Sequence, residues 1–530
     1  MTEREIHLPP NRSQILHVSF GKHLNCRRVL ILMCFAILAI IAFRFYHMSV
    51  TGYMLPDEGY YYERLVLDHN QYPHREVFSR IYVMFFEGAK DISSLALRGA
   101  IFTSIWGLGS AFLSYKIVRR LGMTDEQTSL LLVSLLFFPV YLIMLPMMVT
   151  ENMAFFFGLA GIFFALRFHQ RGGWNDALFS SLAFVAACNV REPYLLFGLA
   201  NFVGILVSTK RSVRSVLAYL IPLALVIPIP VNVWPLQFAQ PVYALLLNPL
   251  VSPVSSVSLS PQVTMPPPDL PSFLHAFAIG IFVGYNPVFA VIAFVSILLT
   301  IRTAWRKRTA LAGFPPWNAL AGLSAYAAAL FFLIYPAGGL IPVWTSTAMR
   351  ASHASLPVAF TFSHSYRKIG ARNVVVMLLV LLAVGSTQLY VIAQAVQSNL
   401  TPTGAPVDRL SLDYRAPYYR LYELAKDSGR TLVLAPNPRG ARTYLSMLPN
   451  AQVMPIPGDQ SQFNTVLAEG WDMIYLYDYY YTGGPTLADP RYPQYYREIL
   501  ISSSYPGYVI ERLWSDAESY AFMMTPVAST

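Results

Sequence analysis

Charge is what this sequence has least of. Only 12% of its 530 residues are Asp, Glu, Lys or Arg, while 55% are hydrophobic; a soluble globular chain carries roughly 25% charged residues. So little charge cannot cover a surface in water, which excludes a water-soluble globule and requires a face turned to lipid. Cysteine is almost as scarce. Cys26, Cys34 and Cys188 form neither a CxxC pair nor a metal-ligand spacing. Cys34 falls inside an apolar run and Cys26 just before it, which speaks against a disulfide framework. Neither a GxGxxG nor a P-loop occurs, so no nucleotide is assigned, and there is no internal repeat. Acidic residues number 28 against 38 basic ones, a net charge of +10. This excess does not mark a nucleic-acid binder, because the basic residues cluster between apolar spans without a basic stripe or reading motif.

What is present is a succession of apolar runs. Lys22, Arg27 and Arg28 precede the run Val29 to Phe43, as in a signal peptide, but no small-x-small cleavage site follows. The chain continues Arg44-Phe45-Tyr46-His47. This reads as an uncleaved first helix preceded by a cytoplasmic segment, residues 1–28. Runs of roughly 17–25 apolar residues can cross the hydrocarbon core. Candidates fall near 29–48, 96–116, 128–146, 152–168, 175–190, 193–208, 215–234, 273–300, 317–335, 345–365 and 373–397, about eleven spans by the length criterion. An aromatic share of 14% suits a protein with two interfacial belts.

Lysine and arginine orient the spans, since cytoplasmic loops retain positive charge. Clusters occur at Arg27/Arg28, Lys116/Arg119/Arg120, Arg167/Arg171, Lys210/Arg211/Arg214, Arg302/Arg306/Lys307/Arg308 and Arg367/Lys368/Arg372, at every second loop. The intervening loops therefore face outward, and so does the tail. The expected fold class is a polytopic α-helical membrane protein with a small extracytoplasmic α/β domain at its carboxy terminus. The membrane domain covers 29–400, with a first outer loop at 49–95 and a proline-rich outer loop at 235–272 that should be non-helical. Residues 401–530 form the tail domain. There Thr431–Ala435, Met473–Tyr477, Val509–Leu513 and Tyr520–Met524 read as strands, and Ala441–Leu448 and Gln460–Ala468 as helices.

The orientation gathers acidic residues on one side. Asp57 and Glu58 follow the first span, Glu151 sits in the turn between the third and fourth, and Arg191-Glu192-Pro193 lies between the fifth and sixth. Ionisable groups near hydrocarbon are costly and face the bundle interior or water, so several on one face suggest an interfacial polar cavity. A single interfacial acid is more often solvated than catalytic, and Arg191 with Glu192 could be a structural ion pair. Asp57-Glu58 carries more weight: two adjacent carboxylates precede Gly59 and the run Tyr60-Tyr61-Tyr62, and their proximity can raise one pKa toward the range of a general base. A second group, Trp344, Arg350, His353 and Pro357, lies near the tenth span. Arg350 and His353 are three apart, so one helical face can present both. A guanidinium there can hold a phosphate with two hydrogen bonds or snorkel to the interface.

Taken together these residues resemble the GT-C superfamily, in particular the protein O-mannosyltransferase and lipid A aminoarabinose transferase group. The resemblance rests on Pro56-Asp57-Glu58-Gly59-Tyr60-Tyr61 opening a long first outer loop, Thr150-Glu151-Asn152 heading an aromatic span, Arg191-Glu192-Pro193, and Arg350 to Pro357. It covers about residues 25–400 and persuades by order and sidedness. It implies a multi-pass enzyme of a bacterial inner membrane that takes a sugar from a polyprenyl-phosphate donor. The acceptor is a glycan, lipid or protein hydroxyl. Asp57 would be the base, with Glu58 as its understudy, and the anomeric configuration would invert. Arg350, Arg191, His353 and Arg64 would contact the phosphate, Glu151 and Glu192 would orient the acceptor or hold the arginines, and Tyr60 and Tyr61 would line the substrate site. No cofactor is expected; metal-dependent relatives need spaced acidic motifs and a large carboxy-terminal domain, whereas this tail is small and lacks their tryptophan-rich motif, so a divalent metal is not predicted. The first loop should carry an amphipathic helix on the membrane over Arg75 to Lys90. A polysaccharide polymerase or ligase with a lipid-linked donor is the near alternative. A secondary transporter, whose sites lie at the midplane of repeated halves, has only Asn286-Pro287 in its favour.

Overall fold

The computed structural model describes residues 25–70, 75–191, 193–226, 411–436, 438–479, 492–515 and 519–527, with scattered residues between 302 and 387. Arg350, His353, Glu192, the loop 235–272 and most of the last four expected spans lie outside them, and the side chains of Pro56 and Asp57 are not described.

The chain is an integral membrane protein. Three described helices are long and apolar enough to cross a bilayer: α1 (Cys26–Thr51), α4 (Ile92–Arg120) and α7 (Thr150–Arg171). Leu32 and Phe35 of α1 are 67% and 66% exposed, an apolar surface that lipid rather than water must cover. Between α1 and α4 the first loop folds into a short helix α2 (Pro56–Tyr61), a π-helical turn (Tyr62–Leu67) and α3 (Glu76–Phe86). Beyond α4 come α5 (Asp125–Leu136), α6 (Pro139–Met144), and, after α7, α8 (Trp174–Val190), α9 (Tyr194–Val207) and α10 (Val213–Val226). Helices α7, α8 and α10 pack side by side, and α1 lies along α4. Gly99 of α4 permits that approach: a Cβ there would sit 2.3 Å from the Phe45 ring and 2.7 Å from the Met148 sulfur.

Two expectations for this region change. The run 128–146 is not one helix but α5 and α6, broken at Phe137-Phe138 before Pro139. Proline lacks the N–H that would continue the helix and suits the first position of a new one. The helix expected over Arg75 to Lys90 is present as α3, but its aromatic face turns into the protein. Phe78, Tyr82 and Phe86 are fully buried and stack with Tyr61 and Phe102 at centroid separations of 5.0–5.9 Å. Aromatic pairs at such distances add to area burial, which makes α3 a bracket between α2 and α4. Arg98 of α4 fixes its far end, donating to the carbonyls of Phe85 and Glu87 at 2.9 and 2.8 Å, which a helix C-terminus otherwise leaves unpaired.

The carboxy-terminal unit is a five-stranded mixed sheet in the order β2-β1-β3-β5-β4. Its strands are β1 (Thr431–Ala435), β2 (Ala451–Pro455), β3 (Met473–Tyr479), β4 (Tyr508–Ser515) and β5 (Ser519–Pro526). The first three are parallel, and β5 runs antiparallel between β3 and β4. Every residue of β1 is buried, which explains why it reads as a continuous apolar run: helices cover both faces of the sheet. Leu432, Leu434, Ile474 and Leu476 face α13 (Gln460–Leu467) and α14 (Gln494–Ser502). Val433, Ala435, Tyr475 and Tyr477 face α11 (Pro417–Ala425) and α12 (Pro438–Leu445). The strands lie where the sequence places them; β2, α11 and α14 are additional. The α11–α12 layer is shared, because Tyr418, Tyr419, Tyr422 and Tyr444 also pack on the core of the membrane helices.

Candidate active site

Three chain reversals meet at one end of the helical bundle. The first is the junction of α1 with α2. Thr51 closes α1, Gly52 takes the left-handed conformation at φ 66°, and Leu55 caps α2, whose first helical residues are Pro56, Asp57 and Glu58. Proline in the first position and acids just behind it favour helix initiation. The second is the turn 145–149 between α6 and α7, and the third is Arg191 at the end of α8.

Glu58 ties the first two together. Its side chain is wholly buried. Oε2 accepts from the Leu55 backbone N–H at 2.8 Å and from Nη2 of Arg44, also at 2.8 Å; Oε1 accepts from the Met148 N–H at 3.0 Å. A buried carboxylate is tolerated only when paired and hydrogen-bonded, and Glu58 meets both conditions. One side chain thereby joins α1, the start of α2 and the turn before α7. Arg44 was not singled out from the sequence as a site residue. The signal for it was there, since it interrupts an apolar run with a charge, and a charge within a span calls for a partner.

Glu151 ties in the third reversal. It is buried in the first turn of α7 and pairs with Arg191 at 3.0 Å, while the Thr150 hydroxyl donates to its other oxygen. Asn152 donates to the carbonyls of Met144, Leu145 and Met147 at 2.6–3.2 Å, fixing the turn that presents the Met148 N–H to Glu58. The sequence placed Glu151 and Arg191 in separate turns on one face; the structure brings them into contact. Met148 comes to this place only through the tertiary fold, and nothing in its neighbours marks it.

Tyr60 and Tyr61 follow Glu58 on α2. Arg64 donates to the Tyr60 hydroxyl at 2.9 Å, and the buried Arg75 donates to the Tyr61 hydroxyl at 3.1 Å. Tyr60 and Arg64 are accessible, whereas Tyr61 and Arg75 are enclosed. The basic clusters lie at the other end of the bundle. There Arg119 pairs with Asp125 at 2.6 Å, Arg167 with Asp176 at 2.9 Å, and Arg120 meets Gln170 across α4 and α7. Among the described residues no three His, Cys, Asp or Glu side chains gather as a metal ion would need.

Comparison with known proteins gives one family match, over part of the chain. Residues 92–234 fit the family model of dolichyl-phosphate-mannose-protein mannosyltransferases. The matched segment is about a quarter of the chain. It runs from the start of α4 to just past α10 and contains Glu151 and Arg191; Asp57 and Glu58 precede it. No curated protein matches the sequence. Among solved structures the chain is similar to the arabinofuranosyltransferase AftD from Mycobacteria, seen by single-particle cryo-electron microscopy. The identity is 13% and the TM-score 0.39, over 95% of this chain and 40% of that one. The chain thus spans about two fifths of the length of that protein.

Proposed function

We propose that the protein is a membrane glycosyltransferase that moves a sugar from a polyprenyl-phosphate donor to an acceptor hydroxyl at the extracytoplasmic face, with Asp57 as the base. The observation that carries this reading is the immobilised start of α2. Asp57 is next to a carboxylate held by three donors from three parts of the chain, on the face where Glu151 holds Arg191. A catalytic group needs such a fixed frame, because a misplacement of about 1 Å can cost roughly a hundredfold in rate. The match of residues 92–234 to a mannosyltransferase family supplies the class of reaction.

In the proposed step the acceptor oxygen attacks the anomeric carbon from the side opposite the phosphate. The new C–O bond forms as the bond to the phosphate oxygen breaks, and the configuration inverts. The polyprenyl phosphate leaves with the electron pair, and the hydroxyl proton passes to Asp57. Cations must meet the charge on the leaving phosphate. Arg191 is proposed for this role together with Arg350 and His353, while Glu151 orients Arg191. Arg64, beside Tyr60, is a partly exposed cation of the first loop. Glu58 has both oxygens engaged and serves in this scheme to hold Asp57; Glu192 belongs to the acceptor side. The host membrane is proposed to be a bacterial inner membrane, and the acceptor class is a glycan, lipid or protein.

The test uses the full chain in lipid vesicles loaded with a polyprenyl-phosphate sugar. Asp57→Asn should lower transfer by about a hundredfold to ten-thousandfold, the range of a lost general base, with insertion and melting unchanged. Undiminished transfer by a properly inserted Asp57→Asn protein would remove the base assignment.

A further inference from the structure

The first loop is held from two sides, and the second side belongs to the far end of the chain. A helix of six residues, α2, is well below the length at which helices persist by themselves. It runs directly into a π-helical turn, a rare form that needs outside support and recurs at functional sites. Glu58 anchors this segment from below. From above, three consecutive residues of α12 grip it.

Arg442 donates to Asp68 at 2.8 Å and to Glu63 at 3.4 Å, so one guanidinium spans the π-helical turn from its first half to its end. The fork of arginine suits two acceptors at once. Glu63 is buried, and a carboxylate taken out of water needs a nearby cation. Thr443 donates to the Gly59 carbonyl at 3.4 Å. The Tyr444 hydroxyl donates to the Gly52 carbonyl at 2.7 Å, at the left-handed residue that ends α1. The same junction receives the segment just before α11: the Ala416 N–H donates to the Thr51 carbonyl at 2.9 Å, and the His47 ring lies 3.3 Å from the Ser411 carbonyl oxygen. A side chain on Gly52 would collide with Tyr419, whose Cβ lies 2.2 Å from where one would begin. These contacts join residues more than 350 positions apart. Closing so long a loop carries an entropic cost, which these contacts and the packing of Tyr418, Tyr419, Tyr422 and Tyr444 on the membrane helices offset.

We propose that the carboxy-terminal unit acts as a positioning clamp for the transfer step: Arg442, Thr443 and Tyr444 set the orientation of α2 and therefore of Asp57. The inference rests on the glycosyltransferase reading above. It assigns the tail a part in the rate of transfer rather than in donor capture. Arg442 touches no reacting atom; it acts through Glu63, Asp68 and the helix they flank.

The experiment compares wild type, Arg442→Ala, Arg442→Lys and Tyr444→Phe as full chains in nanodiscs, with two readouts. One is backbone hydrogen exchange over residues 56–67; the other is kcat and donor KM for a polyprenyl-phosphate sugar. Arg442→Ala should raise exchange over 56–67 by about tenfold or more, since it removes the guanidinium that links the buried Glu63 carboxylate to Asp68 across the π-helical turn. It should lower kcat by a similar factor and leave donor KM within about twofold, the pattern of a lost transition-state contact. Arg442→Lys should recover most of both, and Tyr444→Phe, which folds more readily because only a hydroxyl is lost, should shift both the same way by about threefold. Unchanged exchange in Arg442→Ala and Tyr444→Phe would overturn the clamp, as would faster exchange with kcat intact or a loss confined to donor KM. A wild-type chain that transfers no sugar would instead sink the glycosyltransferase reading, and the docking would then be judged by exchange alone.

Discussion

At the scale of single residues, the pair Arg44–Glu58 is where structure adds most to the proposed chemistry. Arg44 is only 15% exposed and Glu58 not at all. Removing one partner of such a pair costs about 3–5 kcal/mol, because the other is left charged and buried; neutralising both together often costs little. Glu58→Gln should therefore lower the melting temperature and the transfer rate together. Adding Arg44→Met to it should restore much of the stability without restoring transfer, since the bond from α1 to α2 is still missing. Thermal melts and initial rates of the single and double variants check this; recovery of both would reduce Glu58 to a packing residue. Sequence reading singled out Asp57, Glu58, Glu151 and Arg191 because acids and bases beside apolar runs are rare enough to notice. It could not assign partners. Arg191 stands next to Glu192 in the chain, yet the carboxylate it meets among the described residues is Glu151, forty positions away. Pairing across turns depends on how helices are arranged, and composition carries no record of that.

At the scale of elements, the carboxy-terminal sheet has a chemical weakness built into its core. Tyr492 donates to the Asp478 carboxylate at the end of β3, and Tyr495, Tyr496 and Tyr520 pack around it. Burial, reinforced by Asp478, holds the Tyr492 phenol well above the ordinary tyrosine range. Burial does the same for Tyr495, Tyr496 and Tyr520. A folded-state pKa above the unfolded value of about 10 means that stability is complete below that pH and lost as pH rises, because only the unfolded chain then releases protons. The unit should therefore unfold in a cooperative alkaline transition beginning above pH of about 10, with Tyr492, Tyr496 and Tyr520, followed by residue-specific ring NMR signals, ionising together with the loss of its amide protection. Ionisation of these three ahead of any loss of protection would contradict this. Strands β1, β3, β4 and β5 were legible as apolar runs bounded by turn residues. Strand β2 was not, because its residues Ala451–Pro455 include none that is fully buried and its sequence alternates too weakly. The broken helix at Pro139 is the converse case: hydropathy joined what a missing N–H divides.

At the scale of the whole molecule, the two ends of the bundle differ in charge chemistry, and this fixes a testable orientation. Arg119, Arg120 and Arg167 gather at the end opposite Glu58 and Glu151. Positive loops stay in the cytoplasm, so the end bearing the first loop should be outside. Arg442, Thr443 and Tyr444 touch that loop, so the carboxy-terminal unit lies on the same side as it. The alternation of basic clusters along the chain pointed to this sidedness without coordinates. The docking of the tail on the loop was not legible, since contacts between residues near 60 and near 443 leave no local pattern. A reporter fused after the carboxy-terminal strand should be active only in the extracytoplasmic compartment. An impermeant thiol reagent should label a cysteine placed at Ser461 in intact cells, and one placed at Lys116 only after permeabilisation. The opposite labelling would put the proposed site on the cytoplasmic face. A polyprenyl-phosphate donor presenting its sugar outward would then be out of reach, and the chemistry proposed for Asp57 would need a different substrate.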